Sequence, residues 1–281
     1  MIDLVIKEIQ KYCIDELNKA NIEESNLKAK LIIANVINKN KEYLITHDQE
    51  KIEDKKIEKI KDNIEKLITG VPIQYIINKQ EFMEISFFVD ENVLIPQPDT
   101  EILVEEAIQV LKNITEPKIL DLCTGSGAIA IALKKYIQES KVVASDISPK
   151  ALKIASKNAK DNCLNINFLQ SDLFADIKDK FNIIVSNPPY IKTKEIATLS
   201  KEVQNEPHIA LDGGQDGLDF YRSIINKAYN YLENEGYLCL EIGYDQKEEV
   251  IDIINKSKKY KEIIIKKDLS GNDRVIICKK L

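Results

Sequence analysis

The chain of 281 residues has no tryptophan, only two histidines and only five cysteines. The cysteines are odd in number, lie far apart and form no C-x-x-C pair, which argues against a disulfide framework or a zinc site. With His47 and His208 as its only histidines, the chain has little material for histidine-based metal chemistry. We therefore predict a cytoplasmic protein with reduced thiols and no bound metal.

Long apolar runs and an excess of positive charge are also missing. No run approaches the roughly 18 to 20 apolar residues that span a bilayer, and Met1–Leu4 lacks the features of a signal peptide. Lys and Arg number 40 against 46 Asp and Glu, which leaves a net charge of −6. This balance disfavours sequence-blind binding to nucleic acids, although it leaves a local basic groove open. We expect no membrane partner and no direct nucleic-acid partner.

Glycine and proline are absent from the first 69 residues, and all 9 glycines and 8 prolines follow from Gly70 onward. Residues 1–70 instead carry apolar side chains at helical spacing and almost balanced charge, with 13 basic and 14 acidic residues. We predict a helical domain over residues 1–70. Its charge balance favours a packing or partner-docking module over a nucleic-acid clamp.

Strand patterns begin after Gly70. Residues 82–89 alternate approximately, a polar turn follows at Asp90–Asn92, and Val93–Ile95 is apolar, so we predict a β-hairpin linker over residues 71–100. From residue 101 to residue 281, short apolar strands alternate with helices, which predicts an α/β domain with a mostly parallel seven-stranded sheet. The predicted strands are Lys118–Cys123, Lys141–Asp146, Ile166–Gln170, Phe181–Asn187, Gly236–Gly243, Lys261–Lys266 and Arg274–Lys279.

A glycine-rich turn joins the first of these strands to a helix. Gly125 and Gly127 allow a tight turn and the close approach of a ligand to the backbone. Asp146 ends the next strand at the distance where nucleotide folds place the acid that binds ribose hydroxyls. Asp121 is placed to anchor the turn and to lie near the ammonium group of an amino-acid ligand. The pattern from Gly125 to Ala130 also satisfies the dinucleotide fingerprint, so a nicotinamide dehydrogenase stays open.

A second loop, Asn187-Pro188-Pro189-Tyr190, follows the strand at Phe181–Asn187. The prolines stiffen the loop and remove two backbone donors, which leaves the Asn187 side-chain oxygen and the Pro188 carbonyl as acceptors. Two acceptors suit a substrate NH2 group, which has two hydrogens to donate. Tyr190 offers an aromatic face to a planar amide or base and to a nearby positive methyl centre.

The combination of Asn187–Tyr190 with a glycine-loop α/β domain resembles the S-adenosylmethionine-dependent methyltransferases that act on planar NH2 groups. The run Leu94-Ile95-Pro96-Gln97-Pro98-Asp99-Thr100-Glu101 is similar to the linker of the release-factor glutamine methyltransferases. The same family is matched by Gly70–Tyr75, Asp121–Leu133, Ser186–Ile191, Glu206–Leu211, Gly214–Leu218 and Asp268–Val275. The N-terminal helices fit this family only in type and length.

The resemblance implies a class I methyltransferase fold with a Rossmann-like sheet, and methylation of the glutamine amide in the Gly-Gly-Gln loop of bacterial class 1 peptide chain release factors. Asn187, Pro188 and Tyr190 would be catalytic, and these three together with Pro189 would bind the substrate. Contacts to S-adenosylmethionine are implied for Asp121, Cys123, Thr124, Gly125, Ser126, Gly127, Asp146, Asp172, Leu173 and Asn187. The run Ser171-Asp172-Leu173 would flank the adenine. We expect a monomer whose N-terminal helices grip the release factor.

Two positions depart from the family pattern, and several functions stay open. Gln97 stands where the family usually has Arg, and Cys123 stands where Gly is common; because cysteine is small, we expect the turn to form. The alternatives are a glutamine methyltransferase of a ribosomal protein, a DNA or RNA amino-methyltransferase, and a non-enzymatic nucleotide-sensing or ribosome-associated binding module.

Overall fold

The computed structural model describes residues 4–281. Its helices are α1 (Ile6–Lys19), α2 (Ser25–Ile37), α3 (Lys41–Thr46), α4 (Asp54–Ile68), α5 (Ile73–Ile77), α6 (Asp99–Leu111), α7 (Ala128–Tyr136), α8 (Pro149–Asp161), α9 (Thr193–Ile196), α10 (Lys201–Gln204), α11 (His208–Leu211), α12 (Asp219–Ala228) and α13 (Lys247–Ser257). Its strands are β1 (Gln80–Phe82), β2 (Ile85–Phe87), β3 (Lys118–Leu122), β4 (Lys141–Asp146), β5 (Asn167–Gln170), β6 (Phe181–Ser186), β7 (Leu232–Glu241), β8 (Tyr260–Lys267) and β9 (Asp273–Lys280). No helix in residues 4–281 is both long enough and apolar enough to cross a membrane.

The chain forms two compact units. The first contains the described residues up to Lys79 together with Ser200–Asn205, and the second contains Gln80–Leu199 and Glu206–Leu281. The sequence predicted a domain boundary at residue 70 and gave no sign that residues 200–205 belong with the helices. The first unit therefore takes in a short segment from far along the chain.

The first unit is a bundle of helices with its own apolar core. Helix α1 buries Ile6, Ile9, Cys13 and Leu17, which are spaced three and four residues apart and so form one stripe along the helix. Helix α4 repeats this spacing, and α2 contributes a broader apolar surface from the centre of the bundle. In the same unit, the Asn205 side chain donates to the Gly70 carbonyl at 3.0 Å, which joins the short returning segment to the end of the bundle.

The second unit is built on one seven-stranded sheet. The strand order is β5-β4-β3-β6-β7-β9-β8; the first five strands are parallel, and β9 is antiparallel to both β7 and β8. Leu122 at the end of β3 is in register with Ser145 on one neighbour and Ser186 on the other. The loops after β3, β4 and β6 therefore leave the sheet at the same edge, where parallel sheets bind ligands. The predicted α/β fold with a mostly parallel seven-stranded sheet is confirmed.

The linker differs from its prediction. Strands β1 and β2 do form a hairpin, but its turn lies at Met83-Glu84, and both residues have positive φ, 49° and 55°. The prediction of one strand through residues 82–89 paired with residues 93–95 is wrong, because Val93–Ile95 lies outside any strand. Helix α5 also occupies part of the predicted linker. Strand β7 begins four residues earlier than predicted.

Candidate active site

The loop after β3 is shaped by left-handed backbone conformations. Cys123, Gly125 and Gly127 have φ of 58°, 54° and 83°. A Cβ at Gly127 would lie 3.1 Å from Ala155 and from Ile131, so a side chain there would crowd α7 and α8. A Cβ at Gly125 would meet nothing within 4 Å, which leaves open space beside the backbone at this position. The expectation that Cys123 is tolerated because of its small size missed the relevant property, since the position favours glycine through its φ.

Asp121, on β3, anchors this loop by hydrogen bonds. Its Oδ2 accepts hydrogen bonds from the Thr124 hydroxyl at 2.6 Å and from the Ala130 amide at 3.2 Å, whereas Oδ1 is buried without a partner among the described residues. Complete burial raises the pKa of Asp121 to about 7, although the two hydrogen bonds lower it. Asp121 therefore anchors the turn, as predicted, and does not line the cavity beside it.

Asp146 connects the loop to the end of β4. Its Oδ2 accepts from the Gly125 amide and its Oδ1 accepts from the Ser148 amide, both at 2.9 Å. Burial raises the pKa of this carboxyl, while its hydrogen bonds to backbone amides lower it. Each carboxylate oxygen keeps further acceptor capacity, which is the chemistry that two neighbouring ribose hydroxyls require.

The loops that leave the sheet at this edge line one cavity. Its wall includes seven of the predicted site residues, namely Cys123, Gly125, Asp146, Asp172, Leu173, Asn187 and Pro189. Ser171, which was expected to flank the adenine together with Asp172 and Leu173, also lies in the wall. The other wall residues were not predicted: Asn92, Val93, Leu94, Ser145, Ile147, Ser148, Ala151, Pro207, Ile209, Ala210 and Phe220. Motif matches had pointed to Leu94 and to the segment from Glu206 to Leu211 without giving either a role.

The segment from Val93 to Ile95 is held at this wall by a buried acid. The Glu206 side chain, only 8% exposed, accepts from the Ile95 amide at 2.9 Å. Burial raises the pKa of Glu206 to about 7. Gln97, the position that departs from the family pattern, is exposed and donates to the Ile95 carbonyl at 3.0 Å. It therefore contacts the same segment without a charge.

Asn187 follows β6, and a hydrogen bond to Thr100 fixes the orientation of its side-chain amide. Its Nδ2 donates to the Thr100 hydroxyl on α6 at 3.2 Å, which leaves Oδ1 as the acceptor on a residue of the cavity wall. Within residues 4–281, neither Asn187 Oδ1 nor the Pro188 carbonyl has a hydrogen-bond partner. The structure thus leaves free the two acceptors that the sequence singled out.

Several predicted site residues do not reach the cavity wall. Pro188 is buried, and Tyr190 packs against the core of the second unit while its hydroxyl donates to Glu241 at 3.5 Å. Thr124, Ser126 and Gly127 build the glycine loop without lining the cavity. The contacts assigned to these residues and to Asp121, like the rest of the predicted site, stay predictions.

The geometry fits a nucleotide-like ligand with an amino-acid end. Open space at Gly125, a two-oxygen acceptor at Asp146 and the apolar side chain of Leu173 lie along one cavity. Asp172 is exposed beside Leu173 and supplies an acceptor for an exocyclic amino group. These are the residues expected at the ribose, adenine and methionine parts of S-adenosylmethionine, and their roles stay predictions.

Comparison with known proteins places the chain in a family. Residues 8–77 match the PrmC N-terminal domain, and residues 98–212 match the Methyltransferase small domain. The release factor glutamine methyltransferase of Thermodesulfovibrio yellowstonii is 44% identical over 258 residues, which cover 90% of this chain and 92% of that protein. The chain belongs to the release factor glutamine methyltransferase family. The protein of that name from Buchnera aphidicola subsp. Acyrthosiphon pisum is 39% identical over 98% of both chains.

Solved structures agree with the fold. A methyltransferase of Pyrococcus furiosus aligns with a TM-score of 0.52 and 18% identity over 81% of this chain and 99% of that chain. The 16S rRNA N2 G1207 methyltransferase of T. thermophilus, solved with AdoMet and guanosine, aligns with a TM-score of 0.53 and 18% identity over 72% of this chain and 50% of that chain. The family, the class I methyltransferase fold and the assignment as a methyltransferase are confirmed, and the nicotinamide dehydrogenase is set aside.

Proposed function

We propose that this methyltransferase transfers a methyl group from S-adenosylmethionine to the side-chain amide nitrogen of the glutamine in the Gly-Gly-Gln motif of class 1 peptide chain release factors. The relatives named release factor glutamine methyltransferase support this substrate. The observation that carries the proposal is the amide of Asn187, whose nitrogen is bound to Thr100 and whose oxygen is left free.

The acceptors at the loop after β6 address the main chemical difficulty. The lone pair of a glutamine amide nitrogen is delocalised, so this nitrogen is a poor nucleophile. Asn187 Oδ1 and the Pro188 carbonyl can each accept one of its two hydrogens, which holds the nitrogen in a single orientation. Orientation of this kind converts a weak encounter into a productive one and accounts for most of the catalysis we expect here.

The loops after β3, β4 and β5 would hold the methyl donor. Asp146 would bind the ribose hydroxyls, Asp172 the adenine amino group and Leu173 the adenine ring, while the backbone at Gly125 would pass close to the methionine part. When bound, S-adenosylmethionine supplies an electrophilic methyl group. The glutamine nitrogen would form the new N–C bond as the bond between the methyl group and the donor sulfur breaks, which leaves S-adenosylhomocysteine. The extra proton on the nitrogen would then leave to solvent, so the loop has no need of a strong base.

A labelling experiment tests the substrate. The protein is incubated with methyl-labelled S-adenosylmethionine and, in separate reactions, with a purified release factor, ribosomal proteins and nucleic acid. Mass spectrometry of the digested products should place the label on the Gly-Gly-Gln glutamine. Label on a ribosomal-protein glutamine or on a base would identify one of the alternatives instead, and binding without turnover would support the non-enzymatic module.

Variants of Asn187 test the acceptor role. Asn187→Ala should lower kcat by about 100-fold or more, in the range seen when one positioned hydrogen-bonding group is removed from an active site, with cofactor affinity nearly unchanged. Near-normal methylation by this variant would contradict the role of Asn187. Leu269→Ala, a substitution at a fully exposed position between β8 and β9, serves as a control for folding and handling.

We further propose that the helical unit docks the release factor. Its surface carries partly exposed Tyr12, Leu27 and Ile45, the last of them 68% exposed. Ile45→Lys should raise KM for the whole release factor several-fold and leave KM for a short Gly-Gly-Gln peptide unchanged. An equal effect on both substrates would argue for a purely structural unit. The monomeric state and the cytoplasmic location stay predictions.

A further inference from the structure

A buried side-chain amide holds the backbone of the loop after β6. Gln246 lies between β7 and α13 and is 4% exposed. Its Nε2 donates to the Tyr190 carbonyl at 2.9 Å and to the Gly217 carbonyl at 3.2 Å. Its Oε1 accepts from the Gly243 amide at 3.0 Å. This one side chain therefore joins the loop that carries Asn187 to two other segments of the second unit.

This set of contacts requires a primary amide. Two carbonyls need two hydrogens and one backbone amide needs an acceptor, and a glutamine side chain meets all three needs. A carboxylate of the same shape has no hydrogen to donate, and an apolar side chain has neither a donor nor an acceptor. Because a buried carbonyl without a donor is costly, the loop after β6 should shift toward other donors when the amide of Gln246 is lost.

The segment between α11 and α12 packs directly on the same loop. The Gly213 amide donates to the Ile191 carbonyl at 2.8 Å. A Cβ added at Gly213 would lie 2.7 Å from the Tyr190 Cα and 2.9 Å from the Pro189 carbonyl oxygen, which is closer than side chains approach backbone atoms. The loop is thus held by backbone packing at Gly213 and by the Gln246 amide at the Tyr190 carbonyl.

We propose that Gln246 is a positioning residue that keeps Asn187 Oδ1 and the Pro188 carbonyl aimed at one substrate NH2 group. The inference rests on the proposed function of these two acceptors. Between Asn187 and Tyr190 the chain consists of two prolines, whose fixed φ passes a shift at the Tyr190 carbonyl back to the acceptors. A displacement of about 1 Å at a reacting group is enough to lower kcat by about 100-fold.

Gln246→Glu tests this role through the protonation of the new side chain, in an assay of the full chain with a purified release factor and saturating S-adenosylmethionine. The carboxylate would repel the Tyr190 and Gly217 carbonyls, whereas the protonated carboxyl has one hydrogen to donate. Burial raises the pKa of an acid at this place, because the charged form loses its hydration. Relative to wild type, kcat should be about 100-fold lower at pH 9 and should recover by about tenfold at pH 6, while the Kd for S-adenosylhomocysteine stays within about twofold.

The titratable groups that face position 246 are present in both proteins. The Tyr221 hydroxyl on α12 donates to Gln246 Oε1 at 3.5 Å. Tyr221 interacts in turn with three charged or titratable neighbours, namely Tyr190, Glu241 on β7 and Arg274 on β9. Burial raises the pKa of Glu241 to about 7, so its titration affects wild type and variant alike. The quantity to compare is therefore the ratio of the two kcat values at each pH.

Gly213→Ala displaces the same loop without adding a titratable group. Gly213 does not have a positive φ, so alanine can adopt its backbone conformation and the effect comes from the Cβ alone. The Cβ would force the Pro189–Tyr190 backbone away and should lower kcat by about 10- to 100-fold. Because no proton is involved, the loss should be the same at pH 6 and at pH 9.

Tyr260→Phe is the control for the loss of a buried hydrogen bond to a backbone carbonyl. The Tyr260 hydroxyl donates to the Ile225 carbonyl at 2.8 Å, and neither residue belongs to the cavity wall. The substitution should lower Tm, as the loss of any buried hydrogen bond does. Its kcat should stay within about twofold of wild type at both pH values, because the acceptor loop is left alone.

Several results would overturn the proposal. They are near-normal kcat in Gln246→Glu at pH 9, a loss of kcat in that variant that is the same at pH 6 and pH 9, an equal loss in Tyr260→Phe, and a loss of cofactor affinity in place of kcat. If Gln246→Glu does not fold, Gly213→Ala decides the question, and near-normal kcat would then reject the positioning role. Failure of the proposed function is recognised separately, because wild-type protein would then leave the Gly-Gly-Gln glutamine unlabelled or Asn187→Ala would remain active.

Discussion

Ile95 and Glu206 are joined across 111 residues of sequence by a single 2.9 Å hydrogen bond from a backbone amide to a buried carboxylate. The bond secures the segment that contributes Val93 and Leu94 to the cavity wall. A carboxylate is an expensive acceptor in this place, because burial raises the pKa of Glu206 to about 7 from an ordinary 4.5. The cost has a direct consequence for stability.

Glu206→Gln should change how stability depends on pH. The folded state holds the Glu206 proton more tightly than the unfolded state, so the contribution of the acid to stability is complete below about pH 4.5 and is lost as the pH rises through about 7. Glutamine keeps an acceptor for Ile95 and does not ionise. At pH 8 the variant should exceed the wild type by at most about 3 kcal/mol in the free energy of unfolding, and at pH 4 the two should agree.

Urea unfolding at several pH values measures this difference. Glu235→Gln is a control of opposite sign, because Lys261 and Lys279 lower the pKa of Glu235 to about 2. The stability that Glu235 contributes is therefore lost as the pH falls, and its removal should matter least in acid. Parallel pH profiles for wild type and Glu206→Gln would contradict the first prediction.

Cys123→Gly should stabilise the protein. Cys123 has φ of 58°, a conformation that costs a residue with a side chain about 1–2 kcal/mol. Glycine avoids this cost, but it loses more conformational entropy on folding, which offsets part of the gain in stability. We expect a net gain of about 0.5–1 kcal/mol by thermal unfolding. Cofactor affinity should change by less than threefold, because we expect the loop to act through its backbone.

Cys163 provides the matched control for this substitution. It has nearly the same φ, 57°, but lies in an exposed turn after α8 and away from the cavity wall. Cys163→Gly should therefore give a similar gain in stability. A tenfold loss of cofactor affinity confined to Cys123→Gly would show that the thiol itself contacts the ligand.

Asp146→Asn should weaken cofactor binding. Both Asp146 oxygens accept from backbone amides, and asparagine would place an NH2 group against one of these donors. The turned side chain would then lose its charged hydrogen bond to a ribose hydroxyl of the ligand. A loss of this kind corresponds to about 1.5–3 kcal/mol, or about 10- to 150-fold in Kd for S-adenosylhomocysteine by titration calorimetry. Asp172→Asn, at an exposed position, should lower the affinity for S-adenosylhomocysteine by less than tenfold. A larger loss of affinity in Asp172→Asn than in Asp146→Asn would contradict the assignment of Asp146 as the main polar contact.

Gly70→Ala should destabilise the helical unit more than its backbone angle alone predicts. Gly70 has φ of 97°, and an added Cβ would lie 2.7 Å from the Cβ of Lys201. Gly271→Ala is matched in angle, with φ of 87°, but its Cβ would meet nothing within 4 Å. We expect a loss of about 1–2 kcal/mol for Gly271→Ala and a clearly larger loss for Gly70→Ala by thermal unfolding. Equal losses of stability in the two variants would contradict this prediction, because they would mean that residues 200–205 move away from the added Cβ at little cost.

Local patterns predicted the parts of the site that local chain segments build. The glycine loop, its strand and the acid at the end of β4 lie within 30 residues of one another, and their spacing follows from one strand–turn–helix–strand unit. The turn of the β1–β2 hairpin was missed because Met83 and Glu84 adopt positive φ without the glycine or asparagine that usually marks such turns.

The support behind Asn187 could not be predicted in the same way. Thr100 lies at the start of α6 and Asn187 follows β6, and only the folded chain brings their side chains to 3.2 Å from each other. Asp121 was recognised as the anchor of the turn, but its complete burial depends on the helices that cover β3. Pair contacts at such sequence separation have no periodic signature to detect.

The short segment from residue 200 to residue 205 places a condition on the order in which the protein matures. The core of the helical bundle is encoded before residue 70, so it can form while the chain is still being synthesised. The partner of the Gly70 carbonyl, however, is Asn205, which emerges from the ribosome 135 residues later. Until then the Gly70 carbonyl lacks this partner, and the helical unit reaches its final form only after strands β3 to β6 have been made.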